Sequence, residues 1–348
     1  MTLSHFINRL CGNNNSSTSK AKRQRSRVLR FEELEGREML SVTIAEFDAI
    51  REQYADLDLS TNMAHYNVIE IIANELTDTK LRSAIAEAGT TVYDDLIVIR
   101  TTVAKNTISL GGTAMEINVN DATRGSVTIV SLGNVPLTID ARQQSRVLNI
   151  GSDANVALAG LIITRGVAYS DGFTADSGRG GGILNRGALT VTNCTITGNT
   201  VTSAGGGICN VPTNYNNTLT VTSCTITENS GTGIYSRYSM TTIANCTITG
   251  NSGCGISTEG SKNSSVTNCT ISGNSNSGIY SSRYTEMTVT NCTISGNKLI
   301  ITKVMGSTLT TYCTYCSYPS FDCACCYDCD LCPDCPPPPC PCEWCMND

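Results

Sequence analysis

Tryptophan, histidine and charge are what this chain has least of. One Trp and two His occur in 348 residues, aromatics reach only 5%, and Asp, Glu, Lys and Arg together make 16%. Low charge beside 40% apolar content excludes an ordinary disordered chain, which needs high charge and few β-branched residues. No apolar run reaches the roughly 18 residues of a membrane-spanning helix. No apolar core follows the basic run Lys20–Arg30, so a conventional signal peptide is missing. Both histidines, His5 and His65, fall outside the repeats described below, and no Asp occurs between Ser177 and Phe321.

What fills the chain instead is Thr, Ser, Asn and Gly with Ile and Val, a composition of many short strands around a thin core. The length allows one or two domains. Residues 1–40 carry a charge of +4 and leave −10 for the rest of a chain whose net charge is −6. The basic run taken alone reads as a nucleic-acid arm, but an acidic body without a basic surface repels nucleic acid. No nucleic-acid partner is expected. The 19 cysteines form two populations, eight spread through the body and eleven within Cys313–Cys345, a number easier to accommodate outside the cytosol.

Along the chain, residues 1–42 read as a disordered, export-associated segment. Residues 43–95 read as a helical N-terminal cap region. Ile44, Phe47, Ile50 and Tyr54 predict a short helix, and a second one starts at Asp78 as N-cap, buries Leu81, Ile85 and Ala88, and stops at Gly89. From Leu96-Ile97-Val98-Ile99 onward the period changes to short strands separated by Gly, Asn and Asp turns.

From residue 178 the sequence repeats itself. Gly-Ile recurs at Gly182, Gly207, Gly233, Gly255 and Gly278. A polar residue followed by Cys-Thr-Ile recurs at Cys194, Cys224, Cys246, Cys269 and Cys292, at spacings of 30, 22, 23 and 23. Such a period is one coil of a solenoid, with a loop inserted near Thr213–Thr218 in the long one. Alternation points Cys and Ile inward and Thr outward. Gly before Ile is expected at a left-handed corner, as is Asn before Cys, whose amides are expected to stack between coils. The fold class is therefore all-β, a right-handed parallel β-helix with a short helical cap. It covers residues 96–298 as eight or nine coils, with a Cys/Pro-rich, irregular tail at 299–348. The repeats resemble the right-handed β-helix repeat family, including the Gly-Gly-Ile pattern of bacterial polymorphic outer-membrane proteins. Leu81-Arg82-Ser83-Ala84-Ile85 with Asp95-Leu96-Ile97 resembles the capping region of bacterial surface β-helix proteins, which implies a helix plugging the open end.

Chemistry on the coils is sparse. Glycosidases use two carboxyl groups about the scissile bond, and the regular coils hold only Glu228, Glu259 and Glu286. Asp140, Arg142, Asp153, Arg165, Asp171 and Asp176 offer a site with Arg179 and Arg186 in the earlier coils, although Asp at strand ends is commonly a turn residue. No catalytic residue is assigned, and the balance is against an enzyme. A binding face is the better expectation: Tyr235, Arg237 and Tyr238 recur two coils on as Tyr280, Arg283 and Tyr284. The Asn-Cys-Thr triplets match the N-glycosylation pattern but fall at coil corners and read as structural.

The body cysteines are expected to form a reduced, inward ladder, because their side chains run parallel rather than toward each other. In the tail, Cys326, Cys329, Cys332 and Cys335 followed by Pro336 resemble a bacterial ferredoxin pattern with a shortened last spacing, and Cys pairs stand at 313/316 and 342/345. An iron–sulfur cluster, zinc and disulfides stay open there, and no cofactor is assigned. The abrupt change after Asn297 also resembles a shifted reading frame or a truncated repeat array. Finally, Arg30-Phe31-Glu32-Glu33-Leu34-Glu35-Gly36-Arg37-Glu38-Met39-Leu40-Ser41 resembles the N-terminal motif of planctomycete surface and secreted proteins, with Met39 where Leu is usual. That resemblance implies export and an extracellular or cell-surface location. The expected function is a structural or adhesive surface protein whose partners are surface or matrix glycans or proteins. The alternative is a polysaccharide-binding or polysaccharide-degrading β-helix protein.

Overall fold

The computed structural model describes residues 42–118, 125–170, 176–213, 217–282, 284–303 and 308–312. The N-terminal basic run, the export-like motif, Asp171, Arg283 and the Cys-rich stretch from 313 lie outside the described residues.

Three parallel sheets wind about one apolar interior. Sheet 1 has ten strands, from Tyr66–Ile71 to Thr308–Tyr312. Sheet 2 has eight, from Thr107–Ser109 to Thr293–Ser295, and sheet 3 has eight, from Met115–Ile117 to Leu299–Lys303. One coil runs Ile183–Asn185 in sheet 3, Ala188–Thr192 in sheet 1 and Thr195–Thr197 in sheet 2, then steps to Ile208–Asn210 below its start. This is a parallel β-helix. The ladder begins with Tyr66–Ile71, ahead of the expected start at 96, and continues past 298 into two strands of the stretch read as irregular.

The register turns equivalent residues into columns. Ile163, Ile196, Ile226, Ile248, Ile271 and Ile294 stack on sheet 2, and Ile183, Ile208, Ile234, Ile256 and Ile279 on sheet 3. Nearly all are fully buried, each worth about 2 kcal/mol of transfer free energy, and none can be buried without the coils on either side.

The two helices play different parts. Helix α1, Ile44–Gln53, begins at a capping box in which Thr43 and Glu46 satisfy each other's backbone N–H. Helix α2, Asp78–Ala88, is capped by Thr77, whose hydroxyl accepts from the Lys80 N–H; Asp78, expected as the cap, is instead the first helical residue. Asp78 binds Arg82 and the Gly111 N–H, and Arg82 donates to the Thr113 and Ala114 carbonyls. Leu81, Ala84, Ile85 and Ala88 of α2 join the main core beside Ile69 and Ile71, so α2 covers the first coil as its resemblance implied. Helix α1 does not cap. It lies on the outer face of sheet 1, where Val42, Phe47, Ile50 and Tyr54 pack on Leu96, Val98, Val130 and Ala159. The Leu96–Ile99 run is apolar on both faces because both faces are covered.

Two corner assignments change. The glycines before Ile do not adopt positive φ. They are small because backbone approaches backbone: a Cβ on Gly233 would lie 2.8 Å from the Gly255 carbonyl oxygen, and one on Gly255 2.7 Å from that of Gly278. The left-handed positions are Asn193, Ser223, Asn245, Asn268 and Asn291, as expected, and the residue after each sheet 2 strand, where Gly198, Gly250, Gly273 and Gly296 align with Glu228 at φ 56°. The long coil has two insertions rather than one. Asn199 stands eight residues before Gly207 where Asn229 stands four before Gly233, and Asn210 stands eight before Thr218 where Ser236 stands four before Met240.

Candidate functional site

Side chains that leave sheet 3 outward form the column Glu116, Asn149, Leu184, Cys209, Tyr235, Ser257, Tyr280 and Thr302. Tyr235 and Tyr280 therefore share one line with Ser257 between them, about 10 Å apart. The Tyr235 hydroxyl donates to Glu259 Oε2 at 2.8 Å, and burial together with that bond raises its pKa. Arg237 Nε stands 3.4 Å from the same carboxylate oxygen, an ion pair without hydrogen-bond alignment. The Arg237 guanidinium carbon lies 4.6 Å from the centre of the Tyr238 ring, and Nη2 donates to the Tyr238 hydroxyl at 3.2 Å. That bond is the main reason the Arg237 pKa is raised. Tyr238 occupies a positive-φ turn, and its ring lies where a Cβ on Gly260 would be, so the glycine of the next coil makes room for it.

The structure thus brings Tyr235, Arg237 and Tyr238 together and aligns Tyr280 with Tyr235. Tyr284, 73% exposed, stands at the matching turn two coils on, again at positive φ. Arg283 lies outside the described residues. Glu259, which ties the cluster together, is the residue that sequence reasoning missed; its signal was the one-coil step from Arg237 to Glu259.

Higher on the same face the early-coil residues sort themselves. Asp176 accepts from Arg186 at 2.7 and 2.9 Å and faces Arg179 at 3.9 Å. Arg146 donates to the backbone carbonyls of Arg179 and Asp176; burial and the nearby Arg186 charge lower its pKa. Cys209 lies fully buried beside this group, its thiol pushed up to about 12 by burial. Asp140 belongs elsewhere. It pairs with Arg165 at the end of sheet 2 and accepts the Arg142 N–H, and these bonds outweigh burial to lower its pKa. Asp153 is exposed.

A groove of about 490 Å³ lies away from this face. It runs between α1 and sheet 1, lined by Glu46, Gln53, Arg100, Thr101 and Asn134 among others. Arg100 ties Glu46 of α1 to Glu70 of sheet 1 there. Among the described residues, no three His, Cys, Asp or Glu side chains converge in a way that could hold a metal ion. No helix among them is long and apolar enough to cross a membrane.

Residues 182–320 match the family model described as "right handed beta helix region". That match and the parallel sheets agree on a right-handed parallel β-helix repeat. Comparison with curated proteins and with solved structures gives no match.

Proposed function

We propose that this protein is an exported structural or adhesive rod of the cell surface that holds a glycan chain along the outer face of sheet 3. The observation that carries the reading is the pairing of Tyr235 and Tyr280 on one line two coils apart, flanked by the Arg237–Tyr238–Glu259 cluster and by exposed Tyr284. A spacing of ~10 Å suits alternate sugars of an extended chain. Tyrosine supplies a flat apolar face and a polar tip, and Arg237 and Glu259 supply fixed donors and acceptors at the edge. The export-like N-terminus supports an extracellular location, where glycans are abundant.

A glycan array tests the proposal, comparing the full chain with Tyr280→Ala and Tyr284→Ala. Binding to one glycan class, weakened about tenfold by each substitution, is the expected result. Equal signals from wild type and both variants contradict it.

The Asp176–Arg186–Arg179 grouping favours a second reading, cleavage of a bound polysaccharide at the upper end of the face. Release of reducing ends or unsaturated products that Asp176→Asn abolishes would establish it.

A further inference from the structure

The outer face of sheet 2 is a second candidate surface, independent of the tyrosine line. Its strands read Thr-Ile-Thr or Thr-Ile-Ser in five successive coils, with Ile inward. The register places Thr195, Thr225, Thr247, Thr270 and Thr293 in one column. Thr197, Thr227, Thr249, Ser272 and Ser295 form the other. The result is a two-by-five array of hydroxyl-bearing side chains, rooted at backbone positions ~4.8 Å apart between coils and ~6.8 Å apart along each strand. The array carries no charge, and its members are half-buried or exposed. On one side it is bordered by glycines at four of five coils, Glu228 being the exception, so little stands proud of it there. Thr227 and Thr249 hydroxyls lie 3.2 Å apart, so this one pair is hydrogen-bonded between coils.

We infer that this face binds the surface of ice. The oxygen lattice on the prism faces of hexagonal ice repeats in two perpendicular directions at about these two spacings, so the grid on which the side chains stand follows the repeat of the lattice. Threonine suits the task because its χ1 is stiff, which fixes hydroxyl and methyl before binding. The methyl groups order the intervening water, while the hydroxyls anchor it. Charge would oppose this by holding its own hydration shell, and the array has none. Sheet 1 does not offer the same surface. Its outward columns are broken by Ala244, Met240 and Glu286, and Asp56 of the α1 segment already accepts from Thr192.

The test is thermal hysteresis and ice-crystal shape with the purified full chain. Wild type is expected to facet growing crystals and to open a concentration-dependent gap between melting and freezing. Thr247→Lys, and Thr270→Lys as a second variant, should abolish the gap with melting temperature unchanged. Thr288→Lys, exposed on sheet 1, should retain it. Rounded crystals with no gap in wild type overturn the inference. So does hysteresis that survives both sheet 2 substitutions, or binding to crystalline polysaccharide without any effect on ice.

Discussion

Inside the turn that follows the sheet 2 strand, in the five coils from Asn199 to Asn297, one asparagine does most of the polar work. Asn251 Nδ2 donates to the Ile226 and Thr249 carbonyls and to Asn274 Oδ1, while its own Oδ1 accepts from Asn229. Asn199, Asn229, Asn274 and Asn297 repeat the pattern in their coils. All but the half-buried Asn297 are buried, so removing one amide leaves several backbone groups unpaired. Asn251→Ala should cost about 3 kcal/mol in urea unfolding, far more than an exposed Asn268→Ala. One residue earlier in the same turn, Glu228 holds a conformation that its counterparts leave to glycine, and Glu228→Gly should stabilise by about 1 kcal/mol in the same assay. The cysteine ladder predicts a pH dependence. Cys224, Cys246 and Cys269 are buried and free; a thiol–thiol hydrogen bond to the preceding cysteine, and burial, push Cys246 and Cys269 up to about 12 from the ordinary 9.0. Burial first of all raises Cys224 as well. The unfolded chain ionises first, so stability should hold up to about pH 9 and fall between there and pH 12. Below pH 9, native thiols should resist alkylation. The inward Cys and Ile were legible because a strand's alternation decides its faces. The inner asparagines were not. They stand five residues after each cysteine, but alternation does not carry through a turn, so the sequence does not say which of the two asparagines flanking Cys-Thr-Ile points inward.

At the scale of elements, α1 straps the side of the stack while α2 closes its end. The strap is held by Phe47, Ile50 and Tyr54, by the Tyr54 hydroxyl donating to the Ser131 carbonyl, and by Asp56 accepting from Thr192. Burial pushes the Tyr54 hydroxyl up to about 12. Phe47→Ala should remove about 3–4 kcal/mol of packing, seen as lost hydrogen-exchange protection over 44–53 with the sheet amides of 243–271 unchanged. Acid should loosen the same contact. Hydrogen bonding to Arg100 first, and to Thr43, lowers the Glu46 pKa from 4.5 to about 2. Its contribution is present above pH 4.5 and is lost as the pH falls through about 2, so the strap's amides should exchange faster across that window. The 3–4 spacing of Phe47, Ile50 and Tyr54 made the helix readable. Its seat was less so, because a cap and a strap present the same apolar stripe; the two-sided apolarity of Leu96–Ile99 was the available sign.

At the scale of the molecule, one repeat unit explains interior and surface together. The same register that buries Ile, Cys and Asn lines up Tyr235 with Tyr280 on sheet 3 and the threonines on sheet 2. The tyrosine site was half legible: the recurrence of Tyr and Arg gave its members, whereas Glu259, one coil away and unlike either, became visible only through pairing. All of this stands on the coils being stacked in parallel and in register. Anomalous scattering from sulfur in crystals of the protein tests that most directly. Cys194, Cys224, Cys246, Cys269 and Cys292 should appear as five separate peaks along one line, ~4.8 Å apart. Sulfurs paired at about 2.05 Å, or scattered to opposite faces of the molecule, would contradict it.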